Sequence, residues 1–304
     1  MPVSDCVSFL QWSLPRLHYR WAGFRKVRGQ VCKRILRRIR QLDLLNYDGY
    51  KYHLENHELE WDILDSYCRI TISRFYRDKK LWEQLQKDLL PSLAKQVTKD
   101  GESELNCWSI GCCNGEEPYT LNIIWNLFVK PETKSKINLK ILATDSDPNI
   151  IGRAEQGRYS AGSLKDFPKQ LTPMAFTQYY HKRATFLESQ QTERRSPKQN
   201  RVENGNGITS RKVCYKIRDE FRENVIFKCQ DIRREMPKEK FRLVFCRNLV
   251  FTYFDEELQA GLLKKVGDKL FSNGYLIIGR HESLPLGSGV FVQYDNSGSI
   301  FRKE

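Results

Sequence analysis

The sequence contains no hydrophobic run close to the roughly 20 residues that a membrane-spanning helix needs. Its first residues also lack the signal-peptide pattern of a positively charged stretch followed by an apolar one, since Asp5 comes early and Pro15 and Arg16 follow a short apolar patch. We therefore expect a soluble, cytoplasmic protein without membrane insertion. The hydrophobic content of 40% indicates a globular chain rather than a disordered one.

Cysteine spacings typical of a metal site are also missing. The nine cysteines are scattered and odd in number, without a CxxC motif or a Cys/His pattern, so we expect no bound metal. Most of them occur in apolar or strand-like runs. We interpret them as small buried side chains in a reducing compartment rather than as disulfide partners.

Acidic residues are too few to balance the basic ones. The chain has 51 Lys and Arg against 37 Asp and Glu, a net charge of +14, which attracts an acidic partner such as a protein, an anionic lipid or a nucleic acid. Between residues 24 and 45, apolar residues recur every three or four positions, the pattern of an amphipathic helix. Its cations are Arg25, Lys26, Arg28, Lys33, Arg34, Arg37, Arg38 and Arg40. We expect this basic helix to dock an acidic partner, the alternative being a solvated helix face.

The stretch 107–120 combines an apolar run, a loop bracketed by Gly111 and Gly115, and the start of a helix. A strand, a glycine loop and a helix in this order form the ligand-binding edge of an open α/β sheet. Glu116 and Glu117 would repel a pyrophosphate but could accept hydrogen bonds from an ammonium or a ribose hydroxyl. The loop therefore suits a cationic nucleoside better than a dinucleotide. The alternative is an ordinary β–α turn with acidic residues in the first turn of the helix.

The remaining patterns indicate an α/β fold behind a helical N-terminal region. Everything up to about residue 99 looks helical, and a polar stretch at 100–104 marks a boundary. Beyond it, helices alternate with strand patterns at 107–110, 137–143, 213–217, 225–228, 241–246 and 275–278. This alternation is typical of a doubly wound, Rossmann-like sheet.

We predict two domains from this organisation. A small all-helical N-terminal domain would span residues 1–99, and an α/β domain would span residues 100–304. Within the second domain, residues 189–211 hold almost no large apolar side chain, so we predict a disordered surface insert there.

Two aspartates follow the second predicted strand of the α/β part. A carboxylate at the end of this strand is placed to bind ribose hydroxyls, which is the function we predict for Asp145. Asp147 precedes Pro148 and suits the capping position of the next helix.

Four ordered blocks of the sequence resemble the chemotaxis-receptor methyltransferases, the CheR family. They are Ser73-x-Phe-Tyr-Arg77, Trp108-Ser-x-Gly-Cys-x-x-Gly-Glu-Glu-Pro-Tyr119, Ala143-Thr-Asp-x-Asp147 with Gly157-x-Tyr159, and Phe245-Cys-Arg-Asn248 with Tyr253-Phe-Asp255. The likeness covers roughly residues 24 to 285. It implies a Rossmann-like methyltransferase sheet, S-adenosylmethionine as the methyl donor, S-adenosylhomocysteine as the product, and a protein glutamate side chain as the acceptor.

The resemblance also implies a set of site residues. Those implied to contact the cofactor are Thr71, Ser73, Arg77, Gly111, Glu116, Glu117, Asp145, Gln230, Asp231, Ile232, Cys246, Arg247 and Asn248. Among them, Asp145 would bind the ribose hydroxyls and Asp231 could meet the adenine amino group. Arg77 and Tyr253 are the candidates for catalysis, Arg77 by orienting the acceptor carboxylate and Tyr253 by steadying the sulfonium. The alternative for Tyr253 is an aromatic core position.

The chain departs from the family pattern in two places. Thr71 stands where the family usually has asparagine, and Tyr253 comes five residues after Asn248 instead of four. The family's small β-subdomain for receptor docking would lie between residues 171 and 213, around the predicted insert. We expect an acidic protein substrate, such as a glutamate-rich helical receptor segment that docks on the basic helix, rather than nucleic acid. Two alternatives stay open: a methyltransferase acting outside chemotaxis or on a small molecule, and a non-catalytic S-adenosylmethionine-binding regulatory module.

Overall fold

The computed structural model describes residues 3–134, 136–181, 212–285, 287, 289–295 and 298–304. The insert predicted at 189–211 lies outside these residues. The described chain begins with helices, as predicted: α1 (Val3–Ser13), α2 (Trp21–Phe24), α3 (Arg28–Gln41), α4 (Tyr47–Asn56), α5 (Glu58–Cys68), α6 (Lys79–Gln84) and α7 (Leu90–Lys99). None of the described helices is both long and apolar enough to cross a membrane.

The predicted basic helix corresponds to α3 but is shorter than its apolar pattern suggested. Val31, Ile35 and Ile39 form its buried face, as the spacing predicted. Two of the eight cations predicted for this helix are only partly exposed. The Arg34 guanidinium donates to main-chain carbonyl groups of the segment that ends α5, and Arg38 forms two hydrogen bonds with the buried Glu60 carboxylate, at 2.9 and 2.7 Å. The remaining six cations are exposed.

The interpretation of all nine cysteines as unpaired is wrong for one pair. Cys6 in α1 and Cys32 in α3 form a disulfide, with their Cα atoms 6.0 Å apart. This separation lies within the range that disulfide geometry requires. The bond depends on how two helices pack, which cysteine spacing in the sequence does not reveal.

The α/β part consists of β1 (Glu104–Ile110), α8 (Glu116–Ile124), α9 (Lys130–Thr133), β2 (Asn138–Asp145), α10 (Pro148–Gln156), β3 (Arg158–Ser160), α11 (Thr172–Ala175), β4 (Phe176–His181), β5 (Lys212–Ile217), β6 (Val225–Cys229), β7 (Phe241–Cys246), α12 (Val250–Tyr253), α13 (Glu256–Asp268), β8 (Leu270–Ile278), β9 (Phe291–Gln293) and β10 (Ile300–Lys303). Seven of these strands form one sheet in the order β6-β2-β1-β7-β8-β10-β9. The first five of these run parallel, and β10 is antiparallel to β8. The predicted doubly wound, Rossmann-like sheet is confirmed.

Both faces of the central strands are covered. In β1, Leu105 and Cys107 contribute to a core shared with α7 and α8, whereas Trp108 and Ile110 contribute to a core shared with α13 and the N-terminal helices. Successive side chains of a strand point to opposite faces, so a strand buried on both sides reads as the continuous apolar run seen in the sequence. The division after residue 99 remains a prediction.

A second sheet flanks the first and contains three antiparallel strands in the order β3-β5-β4. The segment 172–181 is the short helix α11 followed by the strand β4. β4 and β5 pair along their full lengths, from Phe176–His181 to Lys212–Ile217. Residues 182–211 therefore connect two neighbouring strands of this sheet. This position corresponds to the subdomain that the family resemblance implied.

Candidate active site

A cavity of about 670 Å³ opens at the carboxyl ends of the parallel strands. In an open α/β sheet, this edge is where ligands bind. Segments that follow β1, β2, β6 and β7 form its floor, and residues from α2 and from the segment between α5 and α6 lie across it. The lining includes most residues predicted from the sequence: Thr71, Ser73, Arg77, Gly111, Glu117, Asp145, Gln230, Asp231, Ile232, Arg247, Asn248 and Tyr253.

The glycine loop after β1 lets the backbone approach the cavity closely. Gly111 has a φ of +67°, and a Cβ atom added there would lie 2.7 Å from Cδ2 of Leu249. The next turn is held by the N–H of Cys113, which donates to Oδ2 of Asp145 at 3.1 Å. The loop therefore joins the ends of β1 and β2 around one carboxylate.

The two neighbouring loop glutamates point to different places. The Glu117 carboxylate lines the cavity, where it accepts hydrogen bonds from the Ser109 hydroxyl at 2.8 Å and from Arg247 at 3.0 Å. Glu116 lines a smaller neighbouring cavity with Arg158, so the structure does not bring it to the main one. Burial raises the pKa of Glu116 to about 7. Its Oε2 atom has no hydrogen-bond partner among the described residues.

Cys246 is the other predicted site residue that does not line the cavity. It is the last residue of β7, and its buried side chain belongs to the core that β7 shares with the N-terminal helices. Since side chains alternate along a strand, Cys246 faces this core, and the cavity lining resumes at Arg247.

Asp145 and Asp147 have the separate positions that the sequence suggested. Asp145 ends β2 and accepts a hydrogen bond from the Asp147 N–H at 3.1 Å in addition to the one from Cys113. Burial raises the pKa of Asp145, although these two N–H donors oppose the shift. Asp147 accepts from the N–H of Asn149 at 2.9 Å and caps α10, which confirms the predicted capping position.

The segment after β6 contains a charged cluster that links this segment to helix α5. Arg233 donates to Asp65 of α5 at 2.7 and 2.8 Å and also to Asp231 at 2.7 Å. The Tyr19 hydroxyl completes the cluster by donating to Asp65 at 3.0 Å. Burial tends to raise the pKa of Asp231, but the hydrogen bonds from Arg233 outweigh it and the pKa is lowered. Asp231 is therefore an ion-pair partner of Arg233.

Gln230 precedes this cluster and is 5% exposed. Its side-chain Nε2 donates to the carbonyl oxygen of Glu235 at 3.0 Å. Its Oε1 atom is buried and has no hydrogen-bond partner in the part of the chain that the structure describes.

The segment after β7 brings three predicted residues together. Arg247 contacts Glu117 and the Asp78 carboxylate, while its buried Nε has no hydrogen-bond partner within the described ranges. Asn248 has a φ of +56° and accepts a hydrogen bond on Oδ1 from Arg77 at 3.0 Å. Arg77 thus connects the segment before α6 to the end of β7.

Tyr253 packs against the core and also borders the cavity. Its ring lies 5.1 Å from that of Phe24 in an edge-to-face contact, as a core residue would, and it also lines the cavity. Burial raises the pKa of its hydroxyl to about 12, so the hydroxyl stays protonated at neutral pH.

Sequence reasoning missed several residues that organise the cavity. Arg20 donates to the carbonyl groups of Phe251 and Thr252, and Glu282 accepts hydrogen bonds from the N–H groups of Asn248 and Gly279. The one sequence signal that could have identified Glu282 is its position shortly after the end of a parallel strand. No signal pointed to the pairing of Asp65 with Arg233. No group of three or more potential metal ligands is arranged to bind a metal in the described ranges.

Comparison with known proteins identifies the family of this chain. Residues 71–195 and 205–297 match the family described as "CheR methyltransferase, SAM binding domain". The chain is 28% identical over 255 residues to a "Chemotaxis protein methyltransferase" of Listeria innocua serovar 6a, covering 84% of this chain and 81% of the relative. It is 26% identical over 243 residues to a protein of the same name from Borreliella burgdorferi, covering 79% and 74%.

Solved structures give a weaker likeness. The N-methyltransferase NodS from Bradyrhizobium japonicum WM9, in complex with S-adenosyl-L-homocysteine, is 10% identical and superposes with a TM-score of 0.33, covering 72% of this chain and 87% of that one. The fold assignment therefore rests on the observed strand order, and the family assignment rests on the sequence matches.

Proposed function

Because this chain belongs to the CheR methyltransferase family and is an S-adenosylmethionine-dependent methyltransferase, we propose that its methyl acceptor is the side-chain carboxylate of a protein glutamate. The names of its relatives support a chemotaxis protein as the substrate. We propose that the enzyme acts in the cytoplasm on an acidic, glutamate-rich helical segment of such a protein. We also propose that residues 1–99 form a separate helical domain in front of the methyltransferase domain.

The observation that carries the proposed acceptor is the positive charge of the cavity lining on its N-terminal side. Six cationic side chains from this part of the chain line the cavity: Arg20, Arg25, Lys26, Arg69, Arg74 and Arg77. The exposed side of α3 adds Arg28, Lys33, Arg37 and Arg40. A surface with this charge attracts an acidic segment and directs a carboxylate towards the cavity.

The lining fits the chemical groups of the cofactor. Glu117 and Asp145 provide carboxylates for an ammonium group and for ribose hydroxyls. The Nε of Arg247 is a buried donor that has no hydrogen-bond partner among the described residues and suits a carboxylate, and such donors are rare in proteins. We therefore assign the amino-acid group of the cofactor to Glu117 and Arg247 and its ribose to Asp145.

The reaction requires little acid–base assistance from the protein. A glutamate side chain has a reference pKa of about 4.3 and is ionised at neutral pH, so it is its own nucleophile. S-adenosylmethionine supplies, when bound, a methyl group activated by the sulfonium. The protein has to hold the acceptor oxygen in line with that methyl group, which is catalysis by proximity.

Two lining residues are suited to this alignment. Arg77 is oriented by its hydrogen bond to Asn248 and can pair with the incoming carboxylate. The Tyr253 ring, held against Phe24, can face the sulfonium.

The test is transfer of tritiated methyl groups from S-adenosylmethionine to an acidic helical peptide, followed by mild alkali. We expect label that alkali releases, as from a glutamyl ester, and no label on a peptide whose glutamates are replaced by glutamine. Label that resists alkali would reject the carboxylate acceptor. Binding of S-adenosylmethionine without turnover would instead support the regulatory alternative.

The docking surface is tested by charge reversal. We expect Lys33→Glu with Arg37→Glu to slow peptide methylation by about tenfold at low salt and to leave cofactor affinity unchanged. Lys264→Glu with Lys265→Glu, on the exposed side of α13, is the matched control and should have little effect. Equal effects of the two double variants would argue against docking on α3.

A further inference from the structure

One residue of the N-terminal region holds the end of the short helix that carries Tyr253. α12 ends at Tyr253, and the last carbonyl groups of a helix have no partner within the helix. The Arg20 guanidinium donates from Nε to the carbonyl oxygen of Thr252 at 3.0 Å and from Nη2 to that of Phe251. The Arg20 N–H donates to the carbonyl oxygen of Tyr253 at 2.8 Å. Arg20 therefore supplies a donor to three consecutive carbonyl groups of α12.

Close packing between α2 and α12 adds to these hydrogen bonds. A Cβ atom added at Gly23 would lie 2.3 Å from the carbonyl oxygen of Thr252 and 3.1 Å from Cδ1 of Tyr253. Only a glycine at position 23 allows the backbone of α2 to come this close to α12. The next residue, Phe24, makes the edge-to-face contact with the Tyr253 ring. The Tyr253 ring is thus packed against α2 where it borders the cavity.

The connection from Asn248 to Tyr253 is one residue longer here than in the family pattern. Thr252 lies within this connection and is held from both sides. Its carbonyl oxygen accepts from Arg20, and its hydroxyl donates to Glu282. Because both partners lie outside the connection, its added length does not leave Tyr253 free to move away from the cavity.

We propose that Arg20 is a positioning residue that holds the Tyr253 ring against the sulfonium of the methyl donor. An aromatic face attracts a cation, so a fixed ring favours the sulfonium of S-adenosylmethionine over the neutral thioether of S-adenosylhomocysteine. Arginine suits this position because its planar fork serves two carbonyl groups at once, whereas lysine has a single nitrogen. The inference rests on the proposed function of Tyr253 beside the sulfonium and does not depend on the identity of the methyl acceptor.

The test measures the affinities of the full chain for S-adenosylmethionine and S-adenosylhomocysteine by calorimetric titration. We expect Tyr253→Leu to lower the ratio of the first affinity to the second severalfold, because the sulfonium loses the ring. Arg20→Lys keeps the positive charge, and with it any direct effect of that charge on the sulfonium, but it gives up the fork. We expect this variant to lower the ratio by about threefold. The double variant should have the same ratio as Tyr253→Leu, because Arg20 acts through the ring.

A second pair of variants changes the packing without altering Arg20. Gly23→Ala forces α2 away from Thr252, and we expect it to lower the ratio as Arg20→Lys does. Gly29→Ala in α3 is the matched control. A Cβ atom at position 29 would meet no atom of the described chain within 4 Å beyond its own helix backbone and its chain neighbours, so the ratio should stay at the wild-type value.

The outcomes separate the inference from the function on which it rests. An unchanged ratio in Tyr253→Leu would reject the placement of the ring beside the sulfonium and would overturn the inference with it. A lowered ratio in Tyr253→Leu together with an unchanged ratio in Arg20→Lys would overturn the role of Arg20 alone. Additive losses in the double variant would do the same, since they would show that Arg20 does not act through Tyr253.

Discussion

The carboxylate of Glu282 accepts a hydrogen bond from the main-chain N–H of Asn248 at 2.8 Å. The same carboxylate accepts from the N–H of Gly279 at 2.6 Å and from the Thr252 hydroxyl. It therefore holds the segment after β7 against the end of β8. Because Asn248 in turn receives the hydrogen bond from Arg77, one buried carboxylate supports both the floor of the cavity and the residue across it.

We expect Glu282→Met to destabilise the protein by ~2–4 kcal/mol, because the part-buried N–H groups of Asn248 and Gly279 lose their acceptor. Cofactor affinity should fall as well, since Asn248 and Arg247 lose their position. Glu282→Gln is the control, because its oxygen can serve both N–H groups while its amide donates to the Thr252 hydroxyl. Denaturant unfolding and calorimetry measure the two effects. Equal losses in both variants would show that the charge of Glu282, rather than its acceptor oxygens, is needed.

Two neighbouring ion pairs differ in exposure, so the contribution of the more buried pair to stability can be measured against that of the exposed pair. Arg233 and Asp65 have side chains that are 18% and 9% exposed, whereas Arg234 and Asp62 are 75% and 67% exposed. We expect Asp65→Asn to cost ~3–5 kcal/mol, because it leaves a buried guanidinium short of a counter-charge. Asp62→Asn should cost less than about 1 kcal/mol. Similar unfolding free energies for the two variants would remove Arg233 as the link between the N-terminal helices and the sheet.

The assignment of Asp145 to the ribose is tested by comparing Asp145→Ala with Asp147→Ala. We expect Asp145→Ala to weaken S-adenosylmethionine binding by at least about tenfold, because the cofactor loses a charged acceptor. Asp147→Ala removes the cap of α10 and should cost about 1 kcal/mol of stability with little effect on affinity. Unchanged calorimetric affinity in Asp145→Ala would reject the ribose assignment.

The buried Glu116 carboxyl predicts a pH-dependent stability. Its pKa is raised by burial from 4.5 to about 7, so the folded state binds its proton more tightly than the unfolded state does. Stability from this group is fully present below pH 4.5 and is lost as the pH rises towards 7. Relative to wild type, Glu116→Gln should therefore gain stability as the pH rises from 4.5 to 8, by up to about 3 kcal/mol. Unfolding free energies measured across this range would contradict the shift if the difference stayed constant.

Much of the fold was predictable because it depends on local patterns. The continuous apolar run of β7 and the spacing of Val31, Ile35 and Ile39 determine a buried strand and a helix face without reference to distant residues. The same holds for Asp147, whose capping position follows from the proline after it.

The contacts that complete the site were less predictable. Glu116 and Glu117 are adjacent in the sequence and share a helix turn, yet only the packing around them decides which carboxylate reaches the main cavity. Asp65 and Arg233 are 168 residues apart, and the two cysteines of the disulfide are 26 apart. Pairings of this kind depend on how whole elements pack, and no local pattern records them.

The contacts between Tyr19 and Phe254 have a consequence for the order in which the protein becomes active. The two residues form an isolated antiparallel bridge, and the N–H of Asp255 donates to the carbonyl oxygen of His18. During synthesis, the N-terminal helices and the first two strands leave the ribosome long before the segment that they must meet. A nascent chain that ends before residue 254 therefore lacks Phe254, His281 and Glu282 of the cavity lining and the bridge to Tyr19.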